Sequence, residues 1–267
     1  MSSLDDKLAT AKAKVPDTYN AGKSCKDLTD FSYFFKNDAR SDMWQYVNTR
    51  NGINFNYMFE HCNSLTKEQI PLLDTSKGLK FNSMFRECMY ITSIPLLDTS
   101  KGTDFNGMFD SCINLTSIPI LNTSKGGYFI NMFKNCGELM TAPALDVSNG
   151  VSFNYMFAGC SKLKVVPKLN TAKGGHFDGM FDGCSKLTDV SFTIIKASIS
   201  FSASPKLDAF TLRGIVNALE VKTTVSSSYK LTLNSTSWDL LENDSAPPTG
   251  YSTWKEYITN YKKWTYA

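Results

Sequence analysis

Cysteine is the chemically most versatile residue that recurs at a fixed interval in this sequence. Six of the seven cysteines follow one another by one step of 26 residues and four steps of 24 residues, namely Cys62, Cys88, Cys112, Cys136, Cys160 and Cys184. Such side chains could form disulfides, bind a metal ion or pack as small apolar groups. Equivalent side chains of stacked repeats point in parallel directions, which suits an apolar ladder better than a disulfide framework. We therefore expect free, buried thiols.

Metal binding is the alternative for these cysteines, but the sequence gives it little support. No Cys-x-x-Cys motif occurs, and the two histidines that could assist are His61 and His176. The aspartates Asp74, Asp98 and Asp146 could suggest calcium, although neighbouring lysines weaken this reading and capping of a turn explains these residues. We expect neither a metal ion nor another cofactor.

The sequence carries no motif of a known enzyme class. A Gly-rich phosphate loop after a strand, a His-Glu-x-x-His motif and a nucleophile elbow are all absent. Acidic pairs such as Asp5-Asp6 are too ordinary to indicate acid-base catalysis. The sequence therefore predicts a protein that is not an enzyme.

Composition and charge indicate a folded protein without a strongly charged partner. The chain has 267 residues, 42% of them hydrophobic and 13% aromatic, which is enough for a substantial core. The formal charge of +3 is spread along the chain, so nothing calls for nucleic acid or an anionic membrane. The N-terminal residues lack the pattern of a secretory signal, and no apolar run reaches membrane-spanning length. We expect neither a signal peptide nor a transmembrane segment.

The regular cysteines belong to a tandem repeat that runs through most of the chain. A Met-Phe pair keeps the same steps as the cysteines, at residues 58–59, 84–85, 108–109, 132–133, 156–157 and 180–181. A period in the twenties with one hydrophobic ladder per column is typical of a solenoid, in which each unit buries its faces against its neighbours. The sequence therefore predicts a stack of repeats that positions the thiols.

Each half of the repeat has its own pattern. Phe81, Met84, Phe85 and Cys88 follow the spacing i, i+3, i+4, i+7, which predicts a short helix on the outside of an arc. The second half, seen in residues 115–119, predicts a very short extended segment that ends at a proline.

A turn of the type Asp-Thr-Ser-Lys-Gly then returns the chain to the next repeat. The aspartate side chain can accept hydrogen bonds from turn amides, and we expect the glycine to supply a positive φ angle. The glycine keeps this place at Gly78, Gly102, Gly126, Gly150 and Gly174.

Three segments follow from these patterns. Residues 1–54 are predicted to form an N-terminal helix, over about residues 4–15, and a degenerate capping repeat. Residues 55–204 form the repeat array. Residues 205–267 form a C-terminal cap, with helices over 208–219, 237–241 and 254–261 and strands over 230–233 and 263–266.

The C-terminal segment is rich in large aromatic residues. They are Trp238, Tyr251, Trp254, Tyr257, Tyr261 and Trp264. Packing over the end of the array is the simpler interpretation, and a sugar-stacking site is the alternative.

The repeat resembles a known family. Residues 105–119, Phe-Asn-Gly-Met-Phe-Asp-Ser-Cys-Ile-Asn-Leu-Thr-Ser-Ile-Pro, resemble the BspA-like leucine-rich repeats of bacterial surface proteins. The Leu-Asp-Thr-Ser-Lys-Gly turn is similar to copies in bacteriophage and prophage proteins, and residues 15–23, 215–219, 230–233 and 263–266 look like the segments that flank such arrays. The insertion of Lys67 and Glu68 departs from the pattern without threatening the fold.

The resemblance implies a curved leucine-rich-repeat scaffold used for adhesion or recognition, with no catalytic residues to carry over. The predicted fold class is accordingly α/β: a solenoid of about six full 24-residue repeats and a degenerate one. An N-terminal helical cap and a small α+β C-terminal cap close the two ends. The resemblance also implies a location on a virion or a cell surface.

The leading functional prediction is a non-enzymatic binding module for a bacterial surface protein or polysaccharide. Recognition is expected on the variable columns, first at Thr92, Thr116, Met140, Lys164 and Thr188. Aromatic candidates at the edge are Tyr57, Tyr128, Tyr155 and His176. The alternative is a structural or decoration component of a phage tail, virion or surface assembly. Its partners would be other virion proteins, and we would expect an oligomer.

Overall fold

The computed structural model describes residues 28–38, 47–244 and 246–267, together with two short strands, β1 (Thr18–Tyr19) and β2 (Lys23–Ser24). These two strands pair in antiparallel fashion. The helix predicted over residues 4–15 and the seventh cysteine, Cys25, lie outside the described residues.

The described repeats form seven successive coils, each of which begins at a buried phenylalanine. We number them coil 1 to coil 7 from Phe31, Phe55, Phe81, Phe105, Phe129, Phe153 and Phe177. The residue before each phenylalanine forms a parallel bridge with its equivalent in the next coil, from Asp30 with Asn54 to Ser152 with His176. The chain is therefore a repeat protein with phenylalanine and cysteine buried about every 24 residues, as the sequence predicts.

The first half of each coil is a series of turns, so the prediction of a helix there is wrong. The predicted buried face is right, since it contains Phe81, Met84, Phe85 and Cys88. However, Ser83 and Glu87 have φ angles of 53° and 58°, which lie outside the α-helical region. The Phe85 N–H donates to the Met108 carbonyl of the next coil at 2.9 Å, and not to the residue four positions earlier. The α/β class consequently does not describe the repeats.

The glycine of the returning turn has a steric role rather than the predicted conformational one. Positive φ angles occur at Gly107, Gly159, Gly179, Gly183 and Gly250, and none of the five predicted turn glycines is among them. A Cβ atom on Gly102 would lie 2.6 Å from Cζ of Phe105 and 3.0 Å from Cε2 of Phe81. Glycine is needed at this place because the phenylalanine rings of two coils occupy the space of a side chain.

Two columns of stacked phenylalanine rings run through the core. The first contains the phenylalanines that begin the coils, with ring centroids 5.5 to 5.8 Å apart. The second runs from Phe35 to Phe181 with centroids 5.3 to 5.9 Å apart. Each contact contributes about 0.5–1.5 kcal/mol beyond the burial of the rings. The two columns are therefore a principal source of stability.

The second half of each coil seldom forms regular strands. Among the described coils, β3 (Val165–Leu169) and β4 (Asp189–Phe192) form a parallel pair in which the register shifts between Val166 and Leu169. Pro167 lies at this shift and cannot donate a hydrogen bond to the ladder. The two-residue insertion in coil 2 is absorbed by a 3-10 turn at Lys67–Gln69.

The C-terminal residues contain the helices and strands that the sequence predicts, with some shift of their ends. Strand β6 (Ser226–Leu233) lies between β5 (Ile199–Phe201) and β7 (Trp264–Tyr266) and is parallel to both. Phe201 of β5 stacks on Phe181 with centroids 5.2 Å apart, so the second phenylalanine column continues into this sheet. The elements are β5 (Ile199–Phe201), α1 (Ala209–Ala218), β6 (Ser226–Leu233), α2 (Ser235–Asp244), α3 (Trp254–Glu256) with a π-helical turn at Tyr257–Lys262, and β7 (Trp264–Tyr266).

The tryptophans of this segment pack into the interior, whereas Tyr261 is exposed. Trp238, Trp254 and Trp264 are buried. The indole N–H of Trp238 donates to the Ala267 carbonyl at 3.0 Å, and that of Trp264 donates to the Glu220 carbonyl at 2.8 Å. In the described ranges, no helix combines the length and apolar character needed to cross a membrane.

Candidate binding groove

The cysteine column is buried and structural. Each of the six described thiols donates a hydrogen bond to a phenylalanine carbonyl of the preceding coil, over 3.0 to 3.2 Å. Burial raises the pKa of Cys62 and of Cys184 to about 12, and it raises the pKa of the four thiols between them well above the usual value. The prediction of free, buried thiols is thereby confirmed for these six residues.

The column of five residues first considered for binding lies on the surface, and its polar groups are partly used by the fold. All five are exposed: Thr92, Thr116, Met140, Lys164 and Thr188. The Thr116 hydroxyl donates to the Thr92 carbonyl at 3.0 Å, and the Thr188 hydroxyl donates to the Lys164 carbonyl at 3.0 Å. These hydroxyls tie successive coils together.

The four aromatic candidates fall into two other columns. Tyr128 and His176 belong to the column of parallel bridges, where Ser152 separates them. Tyr57 and Tyr155 belong to a column in which every residue has a positive φ angle. The structure thus distributes the predicted binding residues over three columns and does not gather them into one site.

The positive-φ column changes character along the stack. It consists of Tyr33, Tyr57, Ser83, Gly107, Asn131, Tyr155 and Gly179. The rings of Tyr33 and Tyr57 are stacked with centroids 4.7 Å apart and an angle of 4° between their planes. Small residues follow, and Ser83 and Gly107 are buried. The column therefore carries large side chains at coils 1 and 2 and small ones at coils 3 and 4, where the surface is recessed.

A groove of about 370 Å³ lies over this low part. Its floor is the small part of the positive-φ column, and Tyr57 closes one end. One wall is formed by the residues that stand one position before the positive-φ column in each coil. The other wall is formed by the residues that directly follow the Met-Phe pairs. The walls and floor are formed by Asn82, Asn106, Ile130, Ser83, Gly107, Asn131, Arg86, Asp110 and Lys134. The same three repeat positions of coils 3, 4 and 5 therefore line the groove.

The charged wall belongs to a ladder of alternating sign. Successive coils carry Lys36, Glu60, Arg86, Asp110 and Lys134 at the same position. Lys36 Nζ lies 2.7 Å from Glu60 Oε2, Arg86 Nη1 lies 3.2 Å from Glu60 Oε1, and Arg86 Nε lies 3.7 Å from Asp110 Oδ2. Burial raises the pKa of Asp110, an effect opposed by a hydrogen bond from Ser111 and by the positive charges of Lys134 and Arg86. The Arg86 guanidinium of the wall is therefore already paired with neighbouring carboxylates.

The groove contains hydrogen-bonding groups that the fold does not use. Two buried amide oxygens of groove residues, Asn82 Oδ1 and Asn131 Oδ1, lack a hydrogen-bond partner, and Arg86 Nε reaches only Asp110 Oδ2, at 3.7 Å. Buried polar groups are normally paired, and an unpaired one costs about 1–3 kcal/mol. These unpaired polar atoms single out the groove as the candidate site.

The unused amide of Asn82 has a local cause. In neighbouring coils, the equivalent asparagine accepts from the backbone of the coil that follows, as when Asn106 Oδ1 accepts from the Ile130 N–H at 2.8 Å. Asn82 Oδ1 would accept from Asn106, but the Asn106 N–H donates to Asp104 Oδ1 at 3.0 Å instead. The Asn82 side chain is thereby released from the ladder.

A larger cavity of about 670 Å³ lies beside His61 and Tyr90. Its rim includes Asp38, next to residues 39–46, which are outside the described part of the chain. His61 Nδ1 lies 2.8 Å from Glu87 Oε2 and is already paired. We therefore place the candidate site in the smaller groove.

Sequence reasoning identified Tyr57 but not the rest of the groove. The residues that follow the Met-Phe pairs vary, and variation alone indicates only contact with solvent. The alternating charges of Lys36, Glu60, Arg86 and Asp110 could have indicated the charged wall from the sequence. Residues 24 or 26 positions apart are neighbours in the stack, so opposite charges at these positions meet. Among the described residues, no cluster of histidine, cysteine, aspartate and glutamate forms a potential metal site.

Comparison with known proteins places the repeats in a defined family. A search of curated proteins found no significant relative. The family described as "Mycoplasma protein of unknown function, DUF285" matches the chain three times, at residues 23–120, 53–164 and 122–192. These overlapping matches cover more than half of the chain and coincide with the coils that carry the buried phenylalanine and cysteine columns. The chain therefore belongs to this DUF285 family.

Proposed function

We propose that this protein is a non-enzymatic recognition and adhesion module that binds a cell-surface protein or glycan through the groove over coils 3 to 5. In this proposal the coils form a solenoid of the BspA-like leucine-rich-repeat type, carried on a virion or a cell surface. The repeats hold the groove in a fixed shape, and the variable residues on its walls set the specificity.

The observation that carries the proposal is the concentration of unused hydrogen-bonding groups in one groove. Asn82 of coil 3 and Asn131 of coil 5 each have a buried amide oxygen without a hydrogen-bond partner, and Arg86 Nε of coil 3 reaches only Asp110 Oδ2, at 3.7 Å. The backbone of the groove is held by hydrogen bonds between coils, such as that from the Ser83 N–H to the Asn106 carbonyl at 2.8 Å. A ligand would thus meet a preformed surface, which limits the entropy lost on binding.

The test is the binding of the purified chain to intact bacterial envelopes and to their extracted surface polysaccharide. The informative variant combines Asn82→Ala with Asn131→Gly, which removes two unused amides. Glycine suits position 131 because its φ angle is 57° and glycine already occupies this column at Gly107. The fold should therefore be unaffected, while saturable binding should be lost.

A second variant provides the control. Met140→Ser combined with Lys164→Ser alters the exposed column first considered for binding and leaves the groove intact. Retained binding in this variant supports the groove as the site, whereas loss of binding here but not in the asparagine variant would contradict that assignment. Failure of the wild-type chain to bind any envelope, together with assembly into a defined oligomer, would leave a structural component of a virion or surface assembly.

A further inference from the structure

The free face of the Tyr57 ring is the most specific feature of the groove. Tyr33 of coil 1 covers one face of this ring at a centroid distance of 4.7 Å, and the planes are nearly parallel at 4°. The opposite face is consequently directed toward coil 3. There the column continues with Ser83, whose side chain is too small to cover a ring, and Tyr57 lines the groove. The aromatic stack ends on an open polar cavity.

The column itself does not require a small residue after a tyrosine. Tyrosine adopts the positive φ angle of this column at Tyr33, Tyr57 and Tyr155, with values between 56° and 58°. Tyr155 lies close against the next coil, since a Cβ atom on Gly179 would be 2.3 Å from Cε1 of its ring. A tyrosine at position 83, followed by Gly107, would reproduce this arrangement. The gap beside Tyr57 is thus a property of the sequence at coils 3 and 4.

Main-chain groups in the groove are not available to a ligand. The Tyr57, Ser83 and Gly107 N–H groups donate to carbonyls of the following coil at 2.7 to 2.8 Å. An extended peptide that binds by strand addition needs such groups on the receptor, so this mode is blocked here. The groups that remain are side-chain amides, a guanidinium and carboxylates, which suit hydroxyl groups because a hydroxyl can both donate and accept.

The charge of the groove points to a neutral ligand. Arg86 is paired with Glu60 at 3.2 Å, and Asp110 lies between Arg86 and Lys134 in the alternating ladder. A charged ligand would have to compete with these pairs. The groove therefore suits a ligand that is uncharged, carries several hydroxyls and has one flat apolar face. The flat face of such a ring can stack on the tyrosine while its hydroxyls hydrogen-bond to the walls.

We propose that the groove binds a neutral glycan, with one pyranose ring stacked on the free face of Tyr57 and its hydroxyls hydrogen-bonded by Asn82, Asn131 and the Arg86–Asp110 pair. This inference rests on the proposed function and specifies the class of ligand. Uncharged hexose polymers are the expected ligands, and polyuronates or other anionic glycans are expected to bind much more weakly.

The test uses calorimetry and ligand-observed saturation-transfer NMR with soluble neutral polysaccharides, namely a glucan, a mannan and a galactan, and with short oligosaccharides derived from them. A polyuronate and a set of aromatic and proline-rich peptides are measured beside them. The full chain should bind one neutral glycan, and saturation should transfer to protons on a single face of a sugar ring.

Ser83→Tyr is the decisive variant because it fills the gap and covers Tyr57 without removing a ring. It should abolish glycan binding and leave the thermal unfolding midpoint unchanged or raised. Thr92→Tyr adds the same side chain to the exposed surface of coil 3 outside the groove and should bind as the wild type does. Tyr57→Gly should weaken binding about two- to tenfold, the change expected from one lost aromatic contact, whereas Tyr57→Phe should retain most of it.

The outcomes separate this inference from the proposed function. Binding of a neutral glycan that Ser83→Tyr does not affect would overturn the stacking site. Groove-dependent binding of a peptide or an anionic glycan, without binding of any neutral glycan, would overturn the ligand class and leave a recognition module in place. If the chain binds neither these probes nor bacterial envelopes, both proposals fail.

Discussion

Arg86 Nη1 lies 3.2 Å from Oε1 of Glu60, the residue at the same position of the preceding coil. Lys36 approaches Glu60 from the other side, with Nζ 2.7 Å from Oε2, and only 3% of the Glu60 side chain is exposed. A buried carboxylate is tolerated when cations and hydrogen-bond donors surround it, and it becomes costly when one partner is removed. The alternating charges therefore hold adjacent coils in register as well as forming a wall of the groove.

Replacement of Arg86 by methionine tests this role. We expect Arg86→Met to lower the free energy of unfolding by about 2–3 kcal/mol, because Glu60 stays buried and keeps one cation. Lys162→Met is the matched control, since Lys162 forms an exposed pair with Glu138 at 2.7 Å and such pairs contribute at most about 1 kcal/mol. Urea unfolding measures both. Equal effects of the two substitutions would contradict a structural role for the ladder.

Substitution of a turn glycine should reveal the packing constraint on the phenylalanine columns. Gly102→Ala places a Cβ atom 2.6 Å from Phe105 Cζ, so the ring or the turn must move, and we expect a loss of about 1–3 kcal/mol. Gly127→Ala is the control, because the nearest atom to its Cβ, the Thr103 carbonyl oxygen, is 4.0 Å away. Thermal unfolding compares them, and a stable Gly102→Ala protein would disprove the steric explanation.

The buried thiols should make stability depend on alkaline pH. The pKa of Cys62 is about 12 in the fold against 9.0 for an ordinary thiol. Below pH 9 both states hold the proton, and above it the unfolded chain releases protons that the folded chain retains, so the free energy of unfolding falls as pH rises toward 12. Urea unfolding between about pH 8 and about pH 11 measures this slope.

The control for the alkaline slope is Cys62→Ala, which removes one such thiol. Its unfolding free energy should fall less steeply with pH than that of the wild type, whatever its value at neutral pH. Identical slopes would show that Cys62 does not contribute to the pH dependence.

Lys262 should be essential to the C-terminal segment. It is 6% exposed, and its Nζ donates to the carbonyls of Asn217 and Leu219 at 2.9 and 2.7 Å, at the end of α1. Burial lowers the pKa of this amine. Lys262→Met leaves two carbonyls without their donor, so we expect a loss of about 2–3 kcal/mol by urea unfolding. Lys206→Met, at an exposed position, should have little effect, and a similar loss there would count against the proposed contact.

The buried columns of the repeat were predictable from the sequence because equivalent positions meet the same packing demand in every coil. Phe85, Phe109 and Phe133 recur at one interval, and all three are buried as expected. The helices and strands of residues 205–267 were also predictable, since they follow ordinary apolar periodicities. One example is α1, which begins after Asp208, whose side chain accepts from the Thr211 N–H at the predicted start.

The local conformation of the coils could not be derived from the same pattern. A spacing of four residues between buried side chains fits one turn of helix, but two consecutive β-turns give it as well. The distinction depends on positive φ angles, and in coil 3 these fall on Ser83 and Glu87, residue types that give no such signal. The contacts of Gly102 with two phenylalanine rings likewise appear only when adjacent coils are stacked.

The groove could not be predicted from the sequence for a related reason. Its residues are unremarkable within any one repeat, and the site arises from what adjacent repeats place side by side. Asn82 matters because Asp104, rather than Asn82, accepts from the Asn106 N–H. That exchange of partners depends on hydrogen-bond geometry, which the order of residues does not disclose.

The alternating charges also limit how the array can change in length. Loss of coil 3 alone would bring Glu60 next to Asp110, and two carboxylates would then share a buried position. Loss of coils 3 and 4 together would place Glu60 beside Lys134 and restore an attractive pair. Over this part of the stack, repeats can be duplicated or deleted in pairs without placing like charges in contact, so the charge pattern has a period of two coils although the packing pattern has a period of one.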